Sequence, residues 1–273
     1  MLNRIPTITK NILIINVLFF LAKYIFASKG LDLDMVLGAF YPESPNFRFW
    51  QVLTHMFMHA NFSHILFNMF GLWMFGSVVE QTIGAKKYLT MYLLAGFCGF
   101  ILFNLSTYFQ MIEVKDSLSS LDLDLVKRYA YEAGQGILHS GGTSEEILHI
   151  KNQELQNIET KITASNVQLT QSIAQNIVHL FSVYTTAMVG ASGAIYGLLV
   201  AFAVLYPEAK LMMIFLPIPI KAKYFIPILI ALEFYMGIAN YSWNPIAHFA
   251  HLGGALVGYL YIRNWKKNQF RKW

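Results

Sequence analysis

The sequence has few charged residues and almost no cysteine. Charged residues make up 13% of the 273 residues and hydrophobic residues 56%, whereas a soluble domain has roughly 25% charged residues. The single cysteine, Cys98, excludes a disulfide framework and a cysteine-based metal site. The net charge of +5 implies no nucleic-acid partner, because most basic residues flank apolar runs. The composition predicts a multi-pass integral protein of a lipid bilayer.

Two kinds of intramembrane catalytic site are also missing from the sequence. Every aspartate lies outside the long apolar runs, which excludes an intramembrane aspartate pair, and no His-Glu-x-x-His sequence is present for a helix-borne zinc site. A less regular metal site remains an alternative, with ligands from four histidines that lie on separate segments: His55, His59, His248 and His251. We predict no metal and no other cofactor, so serine chemistry remains.

Six apolar runs have the length of membrane helices, since a bilayer core about 30 Å thick takes about 20 residues of helix. No cleavage pattern follows the first run, which predicts a retained helix rather than a removed signal peptide. The fold class predicted is therefore all-α, a polytopic six-helix bundle. The runs are 11–27, 64–82, 88–110, 192–206, 223–240 and 248–264.

Basic residues near the ends of these runs predict the orientation of the chain. With six spans, all of the basic clusters fall on one side, which places both termini in the cytoplasm of a bacterial inner (plasma) membrane. Spans two, four and six then begin near the outer face. The clusters contain Arg4, Lys10, Lys86, Lys87, Lys210, Lys221, Lys223, Arg263, Lys266, Lys267, Arg271 and Lys272.

A polar segment, 112–180, interrupts the apolar pattern and holds nine of the fifteen acidic residues. Its apolar residues recur at helical spacing, and Thr143 to Glu146 matches a capping box, so we expect a hairpin of two helices on the outer face. The predicted organisation is a membrane domain in two parts, 1–111 and 181–273, with this insertion between them. The first outer loop, 28–63, is apolar enough to contain short interfacial helices.

The sharpest chemical signal is Ser192, which lies among small residues where the fourth span begins. Gly190 permits unusual backbone torsions, and the free N–H groups at the start of a helix suit an oxyanion. Tyr196 lies on the same helical face as Ser192. By itself this pattern is more typical of membrane-helix packing, with Gly193 and Gly197 admitting a neighbouring helix.

Polar residues at the same predicted depth change that interpretation. His64 and Asn68 are four residues apart at the start of span two, and His251 begins span six. His251 is a candidate general base for Ser192, with the Ser192 backbone N–H, His64 and Asn68 as oxyanion donors. No carboxylate is expected to orient His251, so the prediction is a dyad supported by the ring of Tyr196.

Two further polar residues leave alternatives open. His248 lies three residues before His251 and competes with it as the base, although the following glycines favour His251. Glu233 lies deep in span five, where a charge is unfavourable. We hypothesise that Glu233 faces a cavity and that its protonation modulates gating.

Together these motifs resemble those of the rhomboid intramembrane serine proteases, over 46–110 and 186–264. The resemblance implies a six-helix rhomboid fold, a Ser192–His251 dyad without cofactors, and cleavage of single-span transmembrane proteins near the outer face. It also implies that His59 is structural and that span five is a lateral gate. The motifs are Trp50…His59-x4-His64-x3-Asn68, Gly190-x-Ser192-Gly193-x-x-Tyr196-Gly197 and His251-x-x-Gly254-x3-Gly258.

Two features depart from the family pattern. Gln51 follows Trp50 where many members have arginine, and 112–180 is far longer than the usual connection between spans three and four. The alternative function is a catalytically inactive rhomboid-like protein that binds transmembrane clients. Such proteins normally have a broken dyad, and here Ser192 and His251 are both present.

Overall fold

The structure is a computed structural model that describes residues 5–119, 121–165, 169–212, 218–239 and 246–270. It confirms the all-α fold, with one two-residue antiparallel β-hairpin in the described residues, β1 (Lys210–Leu211) and β2 (Ile220–Lys221). The α-helices are α1 (Thr7–Ala27), α2 (Leu33–Leu37), α3 (Gln51–Thr54), α4 (Phe62–Gly71), α5 (Ser77–Ile83), α6 (Ala85–Ser117), α7 (Leu123–Leu138), α8 (Ser144–Ala164), α9 (Gln171–Thr185), α10 (Ser192–Leu205), α11 (Ala222–Ala239) and α12 (His248–Phe270).

Each predicted membrane run lies in helix over its described residues, except that Tyr206 follows the last residue of α10. A π-helical segment, Leu72–Gly76, joins α4 to α5 into one continuous span. Among the described residues, Thr7–Ala27, Phe62–Ile83, Ala85–Ser117 and Ala222–Ala239 are long and apolar enough to cross a membrane. Helix α10 is apolar but has only 14 residues, and α12 has 23. Arg4, residue 240, Arg271 and Lys272 lie outside the described residues.

The chain forms two compact units. The first contains Met1–Val17, His59–Phe103 and Gly190–Trp273, and the second contains Leu18–Met58 and Asn104–Val189. All of the residues predicted for the oxyanion site and the dyad therefore belong to the first unit. The domain boundaries at 111/112 and 180/181 stay a prediction.

A seam of glycines packs α10 against α12 in the first unit. A Cβ built on Gly254 would lie 1.8 Å from the carbonyl oxygen of Gly193, and one on Gly258 would lie 2.1 Å from that of Gly197. Only glycine permits backbones to approach this closely. The predicted seam is confirmed, and it brings the start of α12 beside the start of α10.

A buried carboxylate holds the first turn of α1 in the same unit. Glu80 of α5 accepts hydrogen bonds from the backbone N–H of Ile8 (2.9 Å) and Thr9 (2.7 Å) and from the Thr9 hydroxyl (2.8 Å). These amides have no acceptor within the helix, and a negative charge at a helix N-terminus is favourable. Glu80 is 4% exposed, so its role is structural.

The second unit contains the insertion, which forms three helices rather than the predicted hairpin of two. The expected long helix is divided, because α8 ends at Ala164 and α9 begins at Gln171, where the Thr170 hydroxyl accepts from the N–H of Ile173. Thr143 caps α8 through the N–H of Glu146, as predicted. The buried hydrophobic cluster around these helices contains Val126, Ala130, Ala133, Ile158, Ile162, Ile177 and Leu180 of the insertion together with Phe181 and Tyr184, which follow it.

Gln51 joins several backbone groups in the part of the first outer loop that belongs to the second unit. It is fully buried; its Oε1 accepts from the N–H of Arg48 (2.8 Å), and its Nε2 lies 3.3 Å from the carbonyl oxygens of Met35 and Asn46. The neutral amide of Gln51 thus hydrogen-bonds to backbone groups of the loop, at the position where the family pattern described above often has arginine. The neighbouring Trp50 donates its Nε1–H to the carbonyl of Val36 (2.8 Å).

Candidate active site

Ser192 is the first residue of α10, and its hydroxyl is hydrogen-bonded to a histidine of α12. Its Oγ lies 2.8 Å from Nε2 of His251, although the two residues are 59 apart in sequence. The glycine seam explains this distance, because it permits the first turns of α10 and α12 to lie side by side. The pairing of Ser192 with His251 is the one the sequence predicts.

Gly190 shapes the turn that leads into Ser192. Its φ of +128° lies in a region that other residues rarely adopt. A Cβ at this position would lie 2.8 Å from Cε1 and Nε2 of the His64 imidazole. The absence of a side chain at Gly190 therefore admits His64 to the Ser192 turn.

The ring of Tyr196 stacks on the imidazole of His251. The two ring centroids are 4.2 Å apart and the planes differ by 5°. Tyr196 lies one turn after Ser192 on the same face of α10, which places its ring beside the base. The predicted packing of Tyr196 against His251 is confirmed.

The expectation that no carboxylate orients His251 is wrong. Oε2 of Glu233 lies 3.0 Å from Nδ1 of His251 and 2.5 Å from Nδ1 of His248. The Tyr196 hydroxyl donates to Oε1 of the same carboxylate. The sequence does show the signal, since Glu233 is an acidic residue deep in an apolar span, but sequence spacing does not indicate which way α11 turns this side chain.

His248 belongs to this network without being the histidine that is bonded to Ser192. Its Nδ1 is hydrogen-bonded to Oε2 of Glu233. Its ring packs edge to face against that of His251, with centroids 6.3 Å apart. The metal-binding alternative involved His248 and His251; among the described residues, these two and Glu233 have ligand atoms within 4.8 Å of one another. Nδ1 of each histidine is hydrogen-bonded to Oε2 of Glu233, which explains why the three side chains lie together.

The other two histidines of that alternative are explained separately. His55 is buried in the second unit and its Nδ1–H donates to the carbonyl of Gln51 (2.9 Å). Burial lowers the pKa of His55 to about 4, so it is neutral at physiological pH. His59 is fully buried in the first unit, and its ring packs against that of His64 with centroids 5.1 Å apart.

Helix α4 presents the predicted oxyanion donors. The Asn61 side chain caps this helix by accepting from the N–H of His64 (2.9 Å), which fixes the turn that carries His64 beside Gly190. Asn68 follows one turn later and is 6% exposed. Its Nδ2 has no hydrogen-bond partner within the described part of the chain. A buried hydrogen-bond donor without a partner is unfavourable. The Nδ2 of Asn68 is therefore available to donate to a bound ligand.

These features define a class of protein: a polytopic α-helical membrane protein with a serine–histidine pair at adjoining helix starts. The Rhomboid domain family matches residues 46–112 and 156–265. The match covers more than half of the chain, which therefore belongs to the rhomboid family, a family of intramembrane proteases.

A relative with a similar sequence is an uncharacterised mitochondrial rhomboid protein of Schizosaccharomyces pombe. It is 26% identical over 213 residues, which are 77% of this chain and 49% of the relative. The chain thus spans about half the length of this relative.

Proposed function

We propose that the protein is an intramembrane serine endopeptidase with Ser192 as nucleophile and His251 as general base. The observation that carries the proposal is the 2.8 Å separation between Ser192 Oγ and His251 Nε2. A serine hydroxyl is a weak nucleophile until a base at this distance accepts its proton. The glycine seam and the stacked Tyr196 ring hold the pair in place before substrate binds.

The reaction proceeds through an acyl-enzyme. Ser192 Oγ attacks the carbonyl carbon of the scissile peptide while its proton passes to Nε2 of His251. The tetrahedral intermediate collapses, its C–N bond breaks, and His251 returns the proton to the leaving amine. A water molecule then attacks the acyl carbon, gives a proton to His251, and releases the new carboxyl terminus; the proton returns to Ser192.

The oxyanion of the intermediate is bound by the Ser192 backbone N–H, His64 and Asn68. Gly190 and Gly193 support this site, because Gly190 admits His64 and Gly193 admits the helix that carries the base. The carbonyl oxygen gains negative charge only during attack, so donors placed for it favour the transition state over the substrate. In this role the Nδ2 of Asn68, which has no partner in the described residues, donates to the oxyanion.

We expect Asn68→Ala to lower kcat by roughly 10²- to 10³-fold with a small change in KM, as for other single oxyanion donors. Cleavage of a reconstituted transmembrane substrate measures both constants. Asn16→Ala is the matched control, because Asn16 is also buried in a membrane helix and donates to the carbonyl of Ile12. Equal kcat values for the two variants would count against the oxyanion role.

The substrates are transmembrane proteins, cleaved near the outer face of the bilayer. This follows from the predicted orientation, in which the basic clusters and both termini are cytoplasmic and Ser192, His64 and His251 lie toward the outer face. The bacterial plasma membrane remains the predicted location.

A fluorophosphonate probe tests the proposed function directly, because it phosphonylates a serine hydroxyl that a neighbouring base activates. We expect the purified wild-type protein to be labelled and Ser192→Ala to remain unlabelled. No labelling of a folded, wild-type protein, or labelling that survives Ser192→Ala, would contradict the protease function. In the first case the alternative, an inactive binder of transmembrane clients, gains support, and co-purification of uncleaved clients tests it.

A further inference from the structure

We propose that Glu233 is a positioning residue that orients His251, so that the Ser–His pair operates as a Ser192–His251–Glu233 triad. This inference rests on the proposed function and adds a member to its machinery. Its starting point is the 3.0 Å separation between Glu233 Oε2 and His251 Nδ1, on the opposite side of the ring from the Ser192 contact.

The imidazole of His251 is held by two different constraints. Stacking on Tyr196 fixes the plane of the ring, but a half-turn about the Cβ–Cγ bond keeps that plane and exchanges the positions of ring nitrogens and carbons. The hydrogen bond from Nδ1 to Glu233 favours one of these two orientations, the one in which Nε2 faces the Ser192 hydroxyl. Tyr196 therefore sets the plane, and Glu233 sets the direction of the reactive nitrogen.

Glu233 also selects the tautomer of His251. A carboxylate only accepts hydrogen bonds, so Nδ1 of His251 carries the proton and donates it. Nε2 then has the free electron pair that accepts the proton of Ser192. The opposite tautomer would place a lone pair against the carboxylate and would have no base facing the serine.

The charge of Glu233 favours the step in which His251 becomes positively charged. Glu233 and His251 are 8% and 7% exposed, so little water screens the attraction between carboxylate and imidazolium. The carboxylate is in turn held by donors from two helices, the Tyr196 hydroxyl of α10 and His248 Nδ1 of α12. These hydrogen bonds offset the loss of its hydration.

The same carboxylate joins three helices at the base. Glu233 is on α11, Tyr196 is on α10, and His248 and His251 are on α12. A displacement of α11 that withdraws Glu233 would release His251 while leaving the glycine seam between α10 and α12 intact. The positioning of His251 thus depends on α11 holding Glu233 beside it.

Glu233→Gln tests the proposal, since glutamine has nearly the same shape but no charge and brings an amide donor into a group of donors. We expect kcat to fall roughly 10³- to 10⁴-fold, approaching the loss of about 10⁴-fold for a triad carboxylate replacement in another serine protease, with KM within about threefold of wild type. The rate of fluorophosphonate labelling should fall in parallel.

Glu80→Gln is the matched control. Glu80 is also buried and accepts several hydrogen bonds within the first unit, but its donors belong to the first turn of α1. We expect Glu80→Gln to lower thermal stability and to leave kcat per folded molecule unchanged. If wild type is labelled and Glu233→Gln keeps kcat within about threefold, the positioning role is wrong while the proposed function stands. An unlabelled wild type contradicts the proposed function itself.

A second measurement on the wild-type protein covers the case in which Glu233→Gln does not fold. Imidazole ¹⁵N NMR of histidine-labelled protein reports the tautomer, and His251→Gln identifies the signal of His251. We expect neutral His251 to carry its proton on Nδ1. A resting His251 protonated on Nε2 alone would overturn the proposal, because Glu233 would then have no proton to accept from it.

Discussion

Replacement of His251 by alanine is expected to lower kcat/KM for a transmembrane substrate by roughly 10⁴- to 10⁶-fold, the range of base and nucleophile knockouts in serine proteases. Without Nε2 2.8 Å from Ser192 Oγ, the hydroxyl has no acceptor for its proton. Ser192→Ala should cause a loss of the same size. The double variant should be no worse than either single variant, because the two side chains act in one step.

Rates from detergent micelles or liposomes measure this non-additivity. His179→Ala serves as the control, since His179 is an exposed histidine of α9 and should keep wild-type activity. The interpretation fails if His251→Ala retains more than about a hundredth of the wild-type rate, or if the losses of the two single variants multiply in the double variant. Either outcome would assign the base to another residue.

Gly254→Ala is expected to destabilise the folded protein by at least about 3 kcal/mol, at the upper end of overpacking effects. The new Cβ would lie 1.8 Å from the carbonyl oxygen of Gly193, and neither group is a side chain that can turn aside. The helices α10 and α12 would have to separate by more than about 1 Å, and such a misplacement of reacting groups lowers the rate about 10²-fold.

Thermal unfolding and cleavage rates of the variant measure the two losses. Gly71→Ala is the matched control, because its Cβ would meet only a side-chain methyl, Ile195 Cγ2, at 3.1 Å. Alanine also has a higher helix propensity than glycine by about 1 kcal/mol, so Gly71→Ala should be close to neutral. Equal stability of the two variants would show that the seam is not a close backbone contact.

The parts of the site that sequence could predict are those determined by local pattern. Ser192 and Tyr196 are one turn apart on one helix, and the glycines that admit α12 are spaced by four, so their shared faces follow from helix geometry. The span that carries His251 is visible as an apolar run with the same small-residue spacing. The Ser192–His251 contact follows once both helices begin at one depth.

The contact of Glu233 with His251 was not predicted, because it depends on the rotation of α11 about its axis. Helix α11 is apolar on all sides, so no hydrophobic face shows which residues turn inward. A carboxylate in such a helix indicates an interior position but does not identify the histidine it meets. The separation of α8 from α9 was missed for a related reason, since the apolar spacing continues through the junction and only Thr170, as a helix cap, marks it.

The order of residues along the chain has a consequence for biogenesis. Ser192 leaves the ribosome 59 residues before His251, and the carboxylate of Glu233 emerges between them. Until α12 has entered the bilayer and docked along the glycines, the nascent chain carries a serine without its base. Under the proposed mechanism, hydrolysis therefore begins only after the last two helices have assembled, so that neighbouring polypeptides at the insertion machinery would not meet an active protease.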